Sequence, residues 1–170
     1  ADFVVSRFSR LFPGYWAALL ITSAVVYTVG LPFQRLPVGQ WLLNFTMVQE
    51  IMGAEPLDGS YWTLQIELFF YVQMLFWFSM GLLGRIRWII LAWLVLAVAY
   101  GLATKFDRHF SYWTRELLIL RHIPFFALGI LFYRMRTCPA EWRIDAALVV
   151  LALAAIAIAY PPEYAIVGLA

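Results

Sequence analysis

Trp88-Ile-Ile-Leu-Ala-Trp-Leu-Val-Leu-Ala-Val-Ala-Tyr100-Gly-Leu-Ala-Thr104 runs for 17 residues without a charged side chain. As a helix rising ~1.5 Å per residue it reaches across the thin end of a bilayer's hydrocarbon core. Arg85 and Arg87 precede it and Lys105 follows it, so the charges stand at the ends, where water is. Working outward, four further stretches have this character. They are residues 12–31, 61–83, 116–133 and 145–160, the last stopped by Pro161-Pro162. Residues 41–52 are apolar but too short to cross, and they end in Gln49 and Glu50, which suits a short interfacial or re-entrant helix. The expected fold is all-α: a polytopic transmembrane helix bundle of about five spans plus that short helix.

The composition agrees. Hydrophobic residues make up 64% of the 170 and charged residues 13%, too little polar surface for a water-soluble domain. The same richness, with 18% aromatics, excludes disorder. The single cysteine, Cys138, excludes a disulfide scaffold, and no Cys/His cluster has zinc-site spacing, so no metal is expected. No repeat, low-complexity tract or long linker divides the chain, which reads as a single membrane domain over 1–170. It opens at Ala1 without a signal-peptide pattern and stops within an apolar stretch, so it is expected to be the middle of a longer protein.

Eleven of the twelve basic residues are arginines. With the N-terminus in the cytoplasm, the inner segments carry Arg7, Arg10, Arg85, Arg87, Arg134, Arg136 and Arg143, and the outer ones Arg35, Lys105, Arg108 and Arg115. The positive-inside rule favours that orientation. Tyr15, Trp16, Trp41, Tyr61, Trp62, Trp88, Trp113 and Tyr133 fall near the expected interfaces, as anchoring aromatics do.

The informative side chains are those that hydrocarbon should reject. Thr63, Glu67 and Tyr71 recur at i, i+4 and i+8 and so share a helix face. Glu67 is either a structural carboxylate satisfied inside the bundle or part of a polar stripe lining a substrate cavity. Gln65 and Gln73 lie off that stripe as candidate interhelical hydrogen-bond partners. Arg121 and His122 interrupt the stretch 116–133. Arg121 is expected at the depth of Glu67 and is a candidate to pair with it; His122 is a hydrogen-bonded structural residue or a proton carrier. Arg7 and Arg10, three apart, either signal topology and meet lipid headgroups or bind a phosphate-rich cytoplasmic ligand.

Two blocks carry a resemblance. Arg7-x-x-Arg10-Leu-Phe-Pro13-x-Tyr15-Trp16 resembles the Arg-x-x-Arg-Ile/Leu-x-Pro-x-Tyr-Trp start of a transmembrane helix in the acyltransferase-3 family. About 50 residues on, Trp62-Thr63-Leu-Gln-Ile-Glu67-Leu-Phe-Phe70-Tyr71 is similar to that family's Trp-Ser-Leu-x-x-Glu-x-x-Phe-Tyr block, Thr63 keeping the hydroxyl. Arg121-His-Ile-Pro-Phe125-Phe126-Ala-Leu-Gly129 resembles, more weakly, its Phe-Phe-x-x-Gly helix.

The resemblance implies a bacterial inner-membrane protein of roughly ten helices, multi-pass, with the N-terminus of this chain cytoplasmic. It would move an acyl group, acetyl foremost, from acyl-CoA to a hydroxyl of an extracytoplasmic sugar or glycan. Acyl-CoA is then a co-substrate rather than a tightly bound cofactor, and no nucleic acid is involved. Carried over, Arg7 and Arg10 hold the CoA, Glu67 and Arg121 support catalysis, and Trp62, Thr63 and Tyr71 line the cavity. The family's proposed catalytic His has no counterpart here, since His109 and His122 lie elsewhere, so these residues alone are expected to be inactive. The reading from another class is a polytopic transporter or lipid-linked carrier with an intramembrane Glu/Arg site.

Overall fold

The computed structural model describes residues 2–29, 35–106 and 110–160. Arg108 and His109, and Pro161-Pro162 with everything after them, lie outside the described residues. The fold is all-α: seven α-helices and no strand among the described residues. They are α1 (Asp2–Val29), α2 (Val38–Asn44), α3 (Trp62–Ser79), α4 (Ile86–Lys105), α5 (Tyr112–Leu117), α6 (Ile123–Thr137) and α7 (Trp142–Ala159). Against the five spans expected, and with α3 and α6 of the stretches 61–83 and 116–133 not among them, three helical stretches among the described residues, Phe3–Val29, Leu82–Lys105 and Pro139–Ala159, are long and apolar enough to cross a membrane. Their outward faces carry Ile21, Val25, Val29, Val95 and Val150, all exposed, as lipid-facing side chains should be.

The chain divides within α3 into two compact units, Ala1–Val72 and Gln73–Ala170. In the first, α1 starts well before residue 12, so Pro13 sits inside the helix rather than in its first turn. One face of α1 buries Leu11, Tyr15 and Leu19 with Met47, Leu57 and Tyr61. Residues 36–45 return along this helix, and polar side chains record their course. The Tyr27 hydroxyl donates to the Leu36 carbonyl (2.9 Å) and Trp41 Nε1 to Ser23 Oγ (2.7 Å). Further down, Trp16 Nε1 donates to the Phe45 carbonyl (3.1 Å) and the Tyr15 hydroxyl to that of Asn44. From Tyr27 back to Tyr15 is ~18 Å along α1, so the segment runs antiparallel to that helix for about three turns.

That course explains why α2 ends at Asn44 instead of running to 52. Asn44 is fully buried, and its amide replaces helical bonding. Nδ2 donates to the Gln40 and Glu55 carbonyls (2.8 and 3.0 Å), and Oδ1 accepts from Leu57 N (3.0 Å). Buried non-helical backbone needs partners from the rest of the protein, and Tyr15, Trp16 and Asn44 supply them here. Met47 (φ 64°) and Gly53 (φ 75°) turn the chain back towards α3.

In the second unit α4, α6 and α7 pack on one another. Gly101 lets α4 approach α7 closely, since a Cβ there would stand 3.1 Å from Ile158 Cγ2 and 3.3 Å from the Ala159 Cα. The stretch 116–133 is not one helix. The end of α5 is closed by Leu120 N–H donating to the Arg115 carbonyl (3.2 Å) and Ile119 N–H to that of Glu116 (3.0 Å). Ile119 takes the left-handed position (φ 47°) that usually goes to glycine, at ~1–2 kcal/mol, while its side chain is buried. Pro124, without an N–H, then sits in the first turn of α6, which begins at Ile123. Gln73 Nε2 donates to the free Leu117 carbonyl (3.0 Å), making it the interhelical partner its position suggests.

Candidate functional site

The first unit brings the two motif blocks together. Phe3 and Arg7 lie one turn apart near the start of α1; Glu67 and Tyr71 lie one turn apart on α3. The Tyr71 hydroxyl donates a short hydrogen bond to Glu67 Oε1. The Arg7 guanidinium sits over the Tyr71 ring, 5.0 Å from its centroid, and 5.4 Å from that of Phe3. Phe3 meets Tyr71 edge to face at 6.4 Å. Contacts of this kind contribute ~0.5–2 kcal/mol each, more as water is excluded. Arg7 is half-buried, and its Nε is shielded without a hydrogen-bond partner among the described residues. Arg10 is exposed and forms no hydrogen bond or ion pair with the described residues.

Trp62 and Thr63 open α3 and are both exposed. The Thr63 hydroxyl turns back to the Ser60 carbonyl (3.2 Å), so of the i, i+4, i+8 stripe only Glu67 and Tyr71 are bonded to each other. The helix start is fixed by Asp58, which accepts from Ser60 N (2.8 Å), and by Tyr61, whose hydroxyl meets Thr22 at 3.0 Å.

In the second unit Arg121 and His122 gather on Tyr160. The Arg121 guanidinium lies 4.7 Å from the Tyr160 ring centroid. The Tyr160 hydroxyl donates to the Arg121 carbonyl (3.1 Å) and stands 3.4 Å from His122 Nδ1. Arg121 is exposed in the turn ahead of α6, and His122 is half-buried at its N-cap. Glu67 and Arg121 thus each have an aromatic partner within their own unit.

A further cluster escaped the reading of the sequence. Asp145, near the start of α7, is fully buried, yet the hydropathy count treats it as a boundary marker. It accepts from Arg87 Nε and Nη2 of α4 (2.7 and 3.1 Å), and Arg134 Nε of α6 lies 3.5 Å away. Glu141 pairs with Arg87 and stands 3.8 Å from Arg134. The signal was available: Asp145 is an acid set among cationic helix ends. No group of His, Cys, Asp and Glu that could hold a metal occurs among the described residues.

An all-α protein with long apolar helices, whose motif arginine and motif carboxylate meet on one tyrosine, is the class of molecule this fold and site define. The chain belongs to the acyltransferase-3 family, whose acyltransferase domain matches residues 1–168, and is thus a membrane acyltransferase. No curated protein and no solved structure matches it.

Proposed function

We propose that the chain takes part in moving an acyl group, acetyl foremost, from cytoplasmic acyl-CoA to a hydroxyl of an extracytoplasmic sugar or glycan in the bacterial inner membrane, with its N-terminus in the cytoplasm. The observation carrying this reading is the meeting of the two motif blocks at Arg7, Tyr71 and Glu67. In the reaction the sugar oxygen attacks the thioester carbonyl carbon, a C–O bond forms and the C–S bond breaks. The hydroxyl proton passes to a base and ends on the departing CoA sulfur. Glu67, with one oxygen held by Tyr71, has the other to accept from a sugar hydroxyl or to orient the base. Arg10 offers solvent-facing forked donors to CoA phosphates. Trp62 and Thr63, exposed at the start of α3, face the acceptor.

The test is acyl transfer from labelled acetyl-CoA by the intact protein in membrane vesicles. Glu67→Gln keeps the shape of the side chain and should lower transfer by about 10²-fold or more. Unchanged transfer by a folded Glu67→Gln protein would refute the assignment.

A further inference from the structure

We infer that Arg7 is a positioning residue for Glu67, acting through the Tyr71 ring as the counter-charge of that carboxylate. This rests on the acyl-transfer reading for its consequence in catalysis, but the arrangement itself is independent of it.

A half-buried carboxylate among the apolar side chains of α3 needs compensation. The Tyr71 hydroxyl supplies one hydrogen bond, which leaves the charge unanswered. The cation that Tyr71 itself touches is Arg7. Arg7 and Glu67 form no direct ion pair among the described residues; the phenol stands between them, its ring under the guanidinium and its hydroxyl on the carboxylate. A positive charge over a phenol draws electron density from the ring and makes its O–H a stronger donor. The link is therefore electrostatic as well as steric.

The environment of Arg7 fits this use better than direct phosphate binding. Two aromatic rings fix its guanidinium, and its Nε is shielded from both water and acceptors. A planar guanidinium stacks in this way, whereas a lysine ammonium would not match it. Arg10, one turn on, has the exposed donors that a phosphate needs. The two arginines of one motif accordingly divide the work: Arg10 meets the ligand and Arg7 sets the carboxylate.

The experiment uses the intact protein in lipid vesicles with Arg7→Gln, Arg7→Lys, Tyr71→Phe and Arg7→Gln/Tyr71→Phe. Unfolding midpoints, and acetyl-CoA KM and kcat, are measured in parallel. Arg7→Gln and Tyr71→Phe should each lower kcat by about tenfold or more and lower the unfolding midpoint, and the double variant should go little further than the larger single on both readouts, because one chain of contacts is broken. Arg7→Lys should recover little of either. Both single variants should lower kcat with acetyl-CoA KM changed less than about twofold, the pattern of an interaction made in the transition state.

The inference is overturned if Arg7→Gln leaves kcat unchanged, if the two substitutions act additively, or if Arg7→Gln raises acetyl-CoA KM while kcat holds. Should Arg7→Gln not fold, Arg7→Lys decides: a protein as active and as stable as the unaltered one overturns the inference. If the unaltered protein transfers no acyl group, the acyl-transfer reading fails, while the unfolding midpoints of the single and double variants still decide whether Arg7 and Tyr71 act as one unit.

Discussion

Replacing Arg87 by alanine removes both close hydrogen bonds to a carboxylate that no water reaches. Asp145 would keep only Arg134, at 3.5 Å, as a counter-charge. Breaking a buried ion pair from one side costs ~3–5 kcal/mol, because the surviving charge stays desolvated. The remaining arginine places this case near the lower end, at about 3 kcal/mol. At roughly 2–4 °C per kcal/mol for a chain of this size, the midpoint of thermal unfolding in detergent should fall by about 6–12 °C. Arg87→Ala/Asp145→Ala removes the stranded charge as well and should be less destabilised than Arg87→Ala alone. Glu141 shares the same arginine from a largely exposed position, its side chain 55% accessible. Its replacement by alanine should cost under about 1 kcal/mol. Near-UV circular dichroism during heating reads all three. A midpoint for Arg87→Ala within about 2 °C of the unaltered protein would refute the reasoning, as would a double variant worse than the single.

Tyr15→Phe leaves the Asn44 carbonyl at the end of α2 without its hydroxyl donor, and should cost ~1–3 kcal/mol, read as a lower unfolding midpoint. Gly101→Leu forces side-chain volume against the α7 backbone and should cost ~1–3 kcal/mol by the same measure, whereas Gly129→Ala, with open space around its Cβ, should be nearly neutral. Cys138 is exposed, so a membrane-impermeant maleimide should label it in inside-out vesicles and not in intact spheroplasts if the N-terminus is cytoplasmic. The opposite pattern would reverse the orientation.

The all-α class and the long apolar helices were legible because hydropathy over 17 or more residues is a strong, local signal. The Glu67–Tyr71 contact was legible for a similar reason, since an i, i+4 pair on one helix needs no tertiary information. What the chain did not announce are contacts made across elements. Tyr15 and Trp16 read as interfacial anchors, yet they bond the Asn44 and Phe45 carbonyls, acceptors whose location depends on where residues 36–45 return. Asp145 read as a helix boundary because burial of a charge depends on which arginines the fold delivers to it. The break ahead of α6 had a local signal in Pro124, but Ile119 in a left-handed turn contradicts its own propensity and is held there by burial. Arg7 and Glu67 were each singled out, but the tyrosine joining them was read as cavity lining.

The central claim is acyl transfer from CoA to an envelope glycan, and one measurement addresses it directly. Vesicles containing the intact protein are given acetyl-CoA labelled in the acetyl group, and glycans are then isolated and treated with mild alkali. The account predicts label on the glycan, released by alkali as acetate, and absent when Glu67 is replaced by glutamine. Glycans that remain unlabelled while a sugar or lipid-linked carrier crosses the membrane in a Glu67-dependent manner would contradict it and place the protein among transporters instead.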